Sequence, residues 1–534
     1  MMNDKQFEKY NSIPKEQFAF AEGNDFKHDK KFETKPVGYF RDAMHRFAKN
    51  KGSVVAACII LILVLFAIIG PYCCDQGYQD AYQTDTFLRR YKELPPRLAF
   101  MDGTGVWDGS QKIEMAAGRY EILKAMAVET GQNPIEKVIE ETTTVDSFGR
   151  EKTNYKVRVN TYYAIDAFTL TLTYDEYKAI QDWQNENNIQ VIMPRVDADK
   201  VPLYRLGRIS VWYKSNNQGK PILDKDGNYQ HGYYTQETSA AKDGESYNDD
   251  YASIRLDSDP GKADPTSEGR FHYAQRTGAS DTGYNYVVRV NSYNYFIYKY
   301  GFEPSFTFGT DSKGYDIFSR LASGARFSLI LAVCVSIINL TIGAIIGALE
   351  GYYGGLFDMV AERIIDVLYR IPGIVIQILF QLHLAHRVGV VASLAFAFIL
   401  TGWIGMAGNV RMQFYRFKHQ EYVLAARTLG ARDSRIIWKH IFPNSLGTLV
   451  TSTVLVIPGV IGSETSLSYL GIINLDSATM SSVGTMLSKG QAVMTSAPHV
   501  VLFPALFIGL LMICFNLFGN GLRDAFNPQL RGEG

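Results

Sequence analysis

Few residues in this 534-residue sequence have the types and spacing that chemistry requires, and the acidic residues near apolar segments come first. Glu350 and Glu464 are the carboxylates that fall within or beside long apolar runs. Paired carboxylates or histidines inside a membrane can carry acid–base catalysis, so an integral membrane enzyme is one hypothesis. His383 and His386 share the stretch HLAHR, but no third metal ligand accompanies them, so no metal site is predicted.

A second set of oxygen ligands, Asp224, Asp226 and Asn228, alternates like the start of a calcium-binding loop. The glycine is out of place for such a loop and no carboxylate closes it, so Asp226-Gly227 is interpreted as a hairpin turn. The sequence also lacks the pattern GxxxxGK[ST], so we expect no nucleotide cofactor on this chain.

The overall composition argues against a nucleic-acid partner, because the formal net charge is zero. Cysteines are absent between 75 and 305, so that segment is expected to be held by packing rather than by disulfides. The chain instead alternates between a polar block rich in tyrosine and several apolar runs. This division predicts a membrane protein in contact with lipid.

Six apolar runs are long enough to cross a bilayer, which needs about 20 mostly apolar residues. Arg370 and Pro372 interrupt the third run, but the six together favour transmembrane helices over buried core helices. The sequence therefore predicts an α-helical membrane protein with six transmembrane helices, at 53–72, 327–349, 365–383, 389–408, 447–469 and 499–519.

Lysine and arginine flank these runs unevenly, and the positive-inside rule turns that bias into an orientation. It places both termini in the cytoplasm and 75–305 outside the cell, in a multi-pass protein of the plasma membrane. The stretch GYFRDAMHRFAKNK has apolar residues at helical spacing, which predicts an amphipathic helix on the inner membrane surface. The expected parts are a cytoplasmic tail 1–52, the first span 53–72, an extracellular domain 75–305, and a core 306–534 whose inner loop is 411–446.

The extracellular segment 75–305 is long enough to fold as a mixed α/β domain inserted between the first two spans. Helices are predicted at 119–131 and from Thr173, where Glu176 completes a capping box. Strands are predicted at 154–163, 189–193, 208–213, 285–294 and 293–302, and a loop at 235–269. NYKVRVNTYY (154–163) resembles NYVVRVNSYN (285–294), which either chance or an internal duplication explains.

The stretch EYVLAARTLGARDSRIIWKHIFPN (421–444) is the most structured part of the loop 411–446. It predicts two short helices joined by a bend at Gly430, because a sharp bend favours glycine. Pro443 is expected to end the second helix. Ala425 and Ala426 would let a partner approach closely, and Ile436, Ile437, Ile441 and Phe442 would form an apolar face. Such a pair suits insertion into a groove of another protein.

The same stretch resembles the EAA signature of binding-protein-dependent ABC importer permeases, with Ala425, Ala426, Gly430 and Pro443 at matching positions. Leu424 stands at the usual acidic position, so Glu421 becomes the candidate for the acidic contact. FGTDSKGYDIFSRLASGARFSL, ETSLSYLG, VGTMLSKG and NLFGNGLRDAFNPQLR resemble the oligopeptide/dipeptide permeases in the same order. The chain is most similar to the second permease subunit of such an importer.

The resemblance implies a type I ABC importer permease fold and no catalytic residue on this chain. It implies four kinds of partner: a second, homologous permease subunit, two cytoplasmic ATPase subunits that bind ATP, an extracellular substrate-binding protein, and a peptide substrate. Motion of the 421–443 helix pair would couple ATP hydrolysis to transport. A same-family importer of nickel or another small solute is the alternative, and the membrane enzyme is a further one.

Overall fold

The computed structural model describes the following residues of the chain: 39–73, 86–145, 149, 151–193, 196–197, 211–212, 225, 233–237, 253–257, 274–277, 285–475 and 481–526. Within them, five long apolar helices could cross a membrane, at Lys51–Cys73, Ile317–Tyr353, Val390–Phe417, Asp433–Tyr469 and His499–Phe526. The helices of the membrane part are α2 (Lys51–Ile69), α6 (Ile317–Tyr353), α7 (Gly355–Tyr369), α8 (Gly373–His383), α9 (Ala385–Val388), α10 (Val390–Phe417), α11 (Glu421–Thr428), α12 (Asp433–Arg435), α13 (Phe442–Tyr469), α14 (Val483–Gln491) and α15 (His499–Phe526).

The predicted third span is not one straight helix. Helices α7 and α8 meet at a bend of 73°, so the six predicted spans are five straight helices plus one broken pair. The break falls at Ile371-Pro372, because a residue before proline avoids helical geometry and proline lacks an amide donor. Helix α8 has 11 residues and so spans only about 16 Å, too short to cross a bilayer alone.

Helices α6 and α10 form the tightest pair of the membrane part, along a row of glycines on α6. A Cβ atom at Gly343 would lie 2.7 Å from the Met406 Cβ, and one at Gly351 would collide with Phe414. Glycines four residues apart let two helix backbones approach each other closely, which is a common device in membranes. The pair therefore packs as one rigid unit.

A buried polar contact ties α6 to α13 near the middle of the bundle. Ser328 donates a hydrogen bond to the Glu464 carboxylate at 3.1 Å, and Ser468 donates another at 2.9 Å. Glu464 is 1% exposed, so these bonds offset the cost of burying it.

Helix α1 (Tyr39–Lys49) is the amphipathic helix that the sequence predicts. Its buried residues Ala43 and Phe47 pack against Leu522 and Phe526 at the end of α15. Met44, on the same apolar side, is 52% exposed. Part of the apolar face therefore serves the bundle itself.

The segment between α2 and α6 contains α3 (Ala117–Thr130), α4 (Tyr174–Asn187), α5 (Ser292–Tyr300) and ten short strands. The strands are β1 (Ser110–Ala116), β2 (Ile135–Val145), β3 (Glu151–Asn160), β4 (Phe168–Leu172), β5 (Val196–Asp197), β6 (Val211–Trp212), β7 (Tyr233–Glu237), β8 (Ser253–Asp257), β9 (Ala274–Thr277) and β10 (Asn285–Val290). Antiparallel sheets have the orders β1-β3-β2 and β4-β10-β9, while β7 pairs with β8 and β5 lies parallel to β6. We call residues 75–305 the insert.

Several predictions in the insert are confirmed, and others are wrong. The helix predicted at 119–131 is α3, and the Thr173–Glu176 capping box opens α4. The stretch 293–302 is helix α5 rather than a strand, because the Asn291 side chain caps its start and Gly301, at φ +77°, ends it. The loop predicted at 235–269 contains β8 and part of β7.

Two further strand predictions meet short elements. Residues 189–193 contribute one isolated bridge, from Ile192 to Val290. Of the residues 208–213, the structure describes Val211–Trp212, which form the two-residue strand β6. The Asp224, Asp226 and Asn228 turn lies outside the described residues.

The two similar sequence stretches occupy equivalent places in the insert. Strands β3 and β10 are each the middle strand of a three-stranded antiparallel sheet. After each strand an asparagine side chain accepts a hydrogen bond from the amide two residues on, Asn160 from Tyr162 and Asn291 from Tyr293. Both tyrosine rings lie beside the Arg97 guanidinium, at 5.1 and 5.5 Å.

Arg97 is the polar centre of the insert. It is 1% exposed, and it donates to the Asp102 carboxylate at 2.6 Å and to the Tyr293 hydroxyl at 3.0 Å. Burial raises the pKa of Tyr293 and of Tyr162, so both hydroxyls stay protonated at neutral pH. The aromatic core around Arg97 thus combines ring packing with satisfied polar groups.

The insert contacts the membrane helices through aromatic rings and hydrogen bonds. Trp107 of the insert lies with its ring centroid 6.1 Å from that of Phe503 in α15. Phe308, just after the insert, stacks on the same Phe503 ring with centroids 4.3 Å apart. Ser496 donates to the Glu93 carboxylate at 3.3 Å. The insert is therefore seated on the end of the bundle where α15 begins.

Candidate coupling site between α10 and α13

The loop between α10 and α13 folds into short helices held against the ends of α6 and α10. Helix α11 is followed by the bend at Gly430, whose φ is +80°, and then by α12. The predicted helix pair and its glycine bend are therefore present. A positive φ disfavours any side chain with a Cβ, which explains the glycine.

The apolar side chains of the second half point inward, and here the prediction of an exposed apolar face is wrong. Ile436, Ile437 and Ile441 are each at most 3% exposed. With Val423 they pack in one cluster against Phe414. The periodic pattern is that of an amphipathic helix, and its apolar face is covered by the chain's own helices rather than by a partner.

A different set of apolar side chains is exposed. Leu429 is 88% exposed, Leu424 is 45% and Trp438 is 47%. Ala425 is exposed beside them, while Ala426 is half-buried. We call these four exposed residues of the loop, Leu424, Ala425, Leu429 and Trp438, the outer loop face.

Pro443 does not end the second helix as predicted. It lies in the first turn of α13, and helical structure runs from Asp433 to Tyr469. The turn before it, Ile436–Ile441, is a π-helix. Proline has no amide hydrogen to donate, and the wider π-helical turn changes the hydrogen-bond pattern just before Pro443. The helix therefore continues through the proline.

Polar contacts tie the loop to the end of α6. The Tyr352 hydroxyl donates to Asp433 at 2.5 Å, and Arg427 donates to the Tyr352 oxygen at 3.3 Å. Lys418 donates to the Gly351 carbonyl at 3.0 Å. These hydrogen bonds join the loop to the end of α6.

Tyr422 adds a contact within the loop, where Asn444 donates to its hydroxyl at 3.3 Å. Burial raises the pKa of Tyr422, and the hydrogen bond from Asn444 opposes this. The hydroxyl is neutral at physiological pH. This contact holds α11 to the start of α13.

The predicted site residues share one loop but have different surroundings. Glu421 lies exposed in the first turn of α11, and Gly430 and Pro443 are also exposed. Sequence reasoning missed Tyr352 and Asp433, because a contact between residues 81 apart leaves no local pattern. The paired tyrosines before Gly354-Gly355, at the end of a predicted span, were the available signal.

The two candidate catalytic carboxylates do not form a pair. Glu464 bonds Ser328, which lies 22 residues before Glu350 on the same straight helix α6. A separation of 22 residues corresponds to about 33 Å along a helix. His383 and His386 are both exposed at the far end of α8 and in α9. This arrangement offers no acid–base pair for the enzyme hypothesis.

The described residues form a bundle of apolar helices with a folded loop bound to its helix ends. Residues 317–532 match the family of binding-protein-dependent transport system inner membrane components, and 38–96 match the N-terminal membrane domain of oligopeptide transport permease C. The chain belongs to this family of permeases, whose members are transport components and not enzymes.

Two curated relatives illustrate the match. The chain is 42% identical over 224 residues to the oligopeptide transport system permease protein OppC of Bacillus subtilis, covering 42% of this chain and 72% of the relative. It is 41% identical over 225 residues to the dipeptide permease DppC of the same organism, covering 42% and 69%. Membership implies ATPase partners and a second permease subunit.

A solved structure of the inward-facing MetNI methionine ABC transporter also overlaps the chain. It covers 39% of this chain and 96% of that one, at 15% identity and a TM-score of 0.30. An overlap this loose adds nothing to the assignment. Residues 97–316, which include most of the insert, lie outside both family matches.

Proposed function

We propose that this chain is the second permease subunit of an ATP-driven oligopeptide importer and forms half of its translocation path. The observation that carries the proposal is the 42% identity to an oligopeptide permease over 224 residues. The family match over residues 317–532 includes the whole loop 411–446. The peptide is proposed as substrate because both quoted relatives are peptide permeases.

The outer loop face is the proposed contact with an ATPase subunit. Leu429 and Leu424 are exposed on it, and large exposed apolar side chains at helix ends are typical of docking sites. Glu421, Ala425, Ala426, Gly430 and Pro443 are the residues we assign to coupling. The Tyr352–Asp433 bond would pass the motion of the loop to α6.

The insert is the proposed docking site of a substrate-binding protein. The contacts of its Trp107 with Phe503 and of its Glu93 with Ser496 support this role, because they seat it at one end of the bundle. Several tyrosines of the insert are buried, so their rings do not supply docking surface. Tyr91, Tyr162, Tyr177 and Tyr293 are at most 4% exposed, so they fill the core of the insert.

The orientation is proposed as both termini in the cytoplasm and the insert outside the cell. Thiol labelling tests it, with a cysteine in place of Lys225 in the insert or Arg432 in the coupling loop, both exposed positions. In a chain whose native cysteines, including the exposed Cys73, are replaced by serine, intact cells treated with a membrane-impermeant maleimide should label Lys225→Cys and not Arg432→Cys. The reverse pattern would overturn the orientation.

Reconstitution tests the function directly. The chain, purified with its second permease and ATPases, is placed in liposomes, and a radiolabelled pentapeptide with the binding protein is added on the side of the insert. We expect peptide uptake that requires ATP on the opposite side. Uptake of radioactive nickel instead, not inhibited by excess peptide, would favour the small-solute alternative and refute the peptide assignment.

A further inference from the structure

Three carboxylates converge where α6 ends and α7 begins. Oxygen atoms of Glu350, Asp358 and Glu362 all lie within 4.8 Å of one another. Arg411 of α10 binds two of these groups, with 2.6 Å to Asp358 and 2.6 Å to Glu362. Tyr415 also donates to Asp358, at 2.6 Å.

Glu350 differs from the other two acids. Its residue is 0% exposed, and neither carboxylate oxygen has a hydrogen-bond partner among the described residues. A buried carboxylate without a partner is costly, so a native protein provides a counter-charge or a proton for it. One Glu350 oxygen belongs to the convergent set, so the carboxylate is directed into the cluster.

The charges of the cluster identify the missing group. Three carboxylates carry three negative charges, and the Arg411 guanidinium compensates one of them. Two negative charges remain at a partly buried site, where the Asp358 side chain is 14% exposed and that of Glu362 is 33% exposed. We propose that Glu350, Asp358 and Glu362 bind one hard divalent cation, of the calcium or magnesium class.

The ligand chemistry fits this class of ion. Calcium takes six to eight oxygen ligands at about 2.3–2.6 Å, so two oxygens on opposite sides of it lie up to about 5 Å apart. Oxygen atoms that all lie within 4.8 Å of one another are compatible with that range. Magnesium, with bonds of about 2.1 Å, would draw the carboxylates closer or retain bridging waters. Carboxylates without cysteine or histidine disfavour zinc and copper.

The position of the site gives it a structural role. Glu350 lies two residues before Tyr352, which holds the coupling loop through Asp433. A cation here would join α6 to α7 beside the coupling contacts, while the Arg411 ion pairs join α7 to α10. Its removal would loosen the junction through which the loop moves α6.

Manganese binding to the full-length chain tests the proposal. Mn²⁺ is a paramagnetic stand-in for both ions, and its free fraction is measured by electron paramagnetic resonance. The purified chain in detergent, stripped with a chelator, should bind one Mn²⁺ saturably, and Ca²⁺ or Mg²⁺ should compete. Glu350→Gln and Glu362→Gln should each weaken binding at least tenfold.

Asp366→Asn is the matched control, because Asp366 is an exposed acid on the same helix α7 and pairs with Arg363. It should bind Mn²⁺ as the wild type does. Absence of saturable binding to the wild-type chain would overturn the proposal and leave a protonated Glu350. Equal binding by both glutamine variants, or loss of binding in the Asp366→Asn variant, would overturn it as well.

Discussion

The insert and the coupling loop both carry many large apolar side chains, but they use them in opposite ways. In the insert, Phe87, Tyr91 and Phe296 are buried in an aromatic core that the chain builds for itself. In the loop, isoleucines face inward while Leu424 and Leu429 remain exposed. Burial, rather than composition, therefore separates a region that stabilises itself from one prepared for a partner.

The largest expected effect on stability comes from the polar centre of the insert. Arg97→Met should lower the free energy of unfolding of the insert by about 3 kcal/mol, because the Tyr293 hydroxyl and the Pro304 carbonyl lose a buried donor. Thermal unfolding followed by limited proteolysis measures this. Lys137→Met, an exposed cation on β2, is the control and should change nothing.

A protease pattern identical to that of wild type after Arg97→Met would contradict the view that the insert rests on this core. ATPase binding should be unchanged in the variant, since Arg97 lies among insert residues. Loss of ATPase binding in this variant would contradict the view that the insert and the coupling loop have separate roles.

The coupling loop should respond in activity more than in stability. Gly430→Leu places a Cβ at φ +80°, which costs about 1–2 kcal/mol, although no atom lies within 4 Å of the new carbon. We expect normal membrane insertion but peptide uptake reduced at least tenfold while ATP hydrolysis continues. Gly405→Leu, also in open space but without a positive φ, is the control. Normal uptake by Gly430→Leu would refute the proposed coupling.

A substitution on the outer loop face should affect ATPase binding without affecting folding. Leu429→Asp, at an 88% exposed position, should leave the unfolding free energy within about 0.5 kcal/mol. ATPase co-purification should fall, because a charge replaces a docking side chain. Val145→Asp, at a 66% exposed position of the insert, is the matched control and should retain the ATPases. Equal retention by both variants would exclude Leu429 from the interface.

The smallest effect concerns pH at the junction of insert and bundle. Burial, and repulsion from Lys313 and Arg320, lower the pKa of Lys489 to about 8, against an attraction to Asp311. Because the folded state binds this proton more weakly than the unfolded chain, stability should rise between pH 8 and about 10.5. Melting temperatures should show a rise of a few degrees at most. Lys489→Met should remove this part of the rise, and an unchanged profile would contradict the assignment.

The sequence predicted the membrane helices well, because continuous apolar runs are a local signal. It misjudged 293–302, where a run of tyrosines favoured a strand while Asn291 and Gly301 set the ends of a helix. It also assigned Ile436 and Ile437 to a partner, because periodicity shows that a face is apolar but not what covers it. The Tyr352–Asp433 and Arg411–Asp358 contacts join distant parts of the chain and had no local signature.

Helix α6 begins at the insert and ends at the coupling loop, with 37 residues between Ile317 and Tyr353. A straight helix of that length is about 55 Å long, so a tilt of about 5° displaces one end by about 5 Å when the other is fixed. The glycine row against α10 prevents the two helices from sliding separately. Helices α6 and α10 would therefore tilt together, as one rigid pair that runs the length of the membrane part. A displacement of Tyr352 by about one helical turn, roughly 5 Å, would therefore change the tilt of the pair beneath the insert by about 5°.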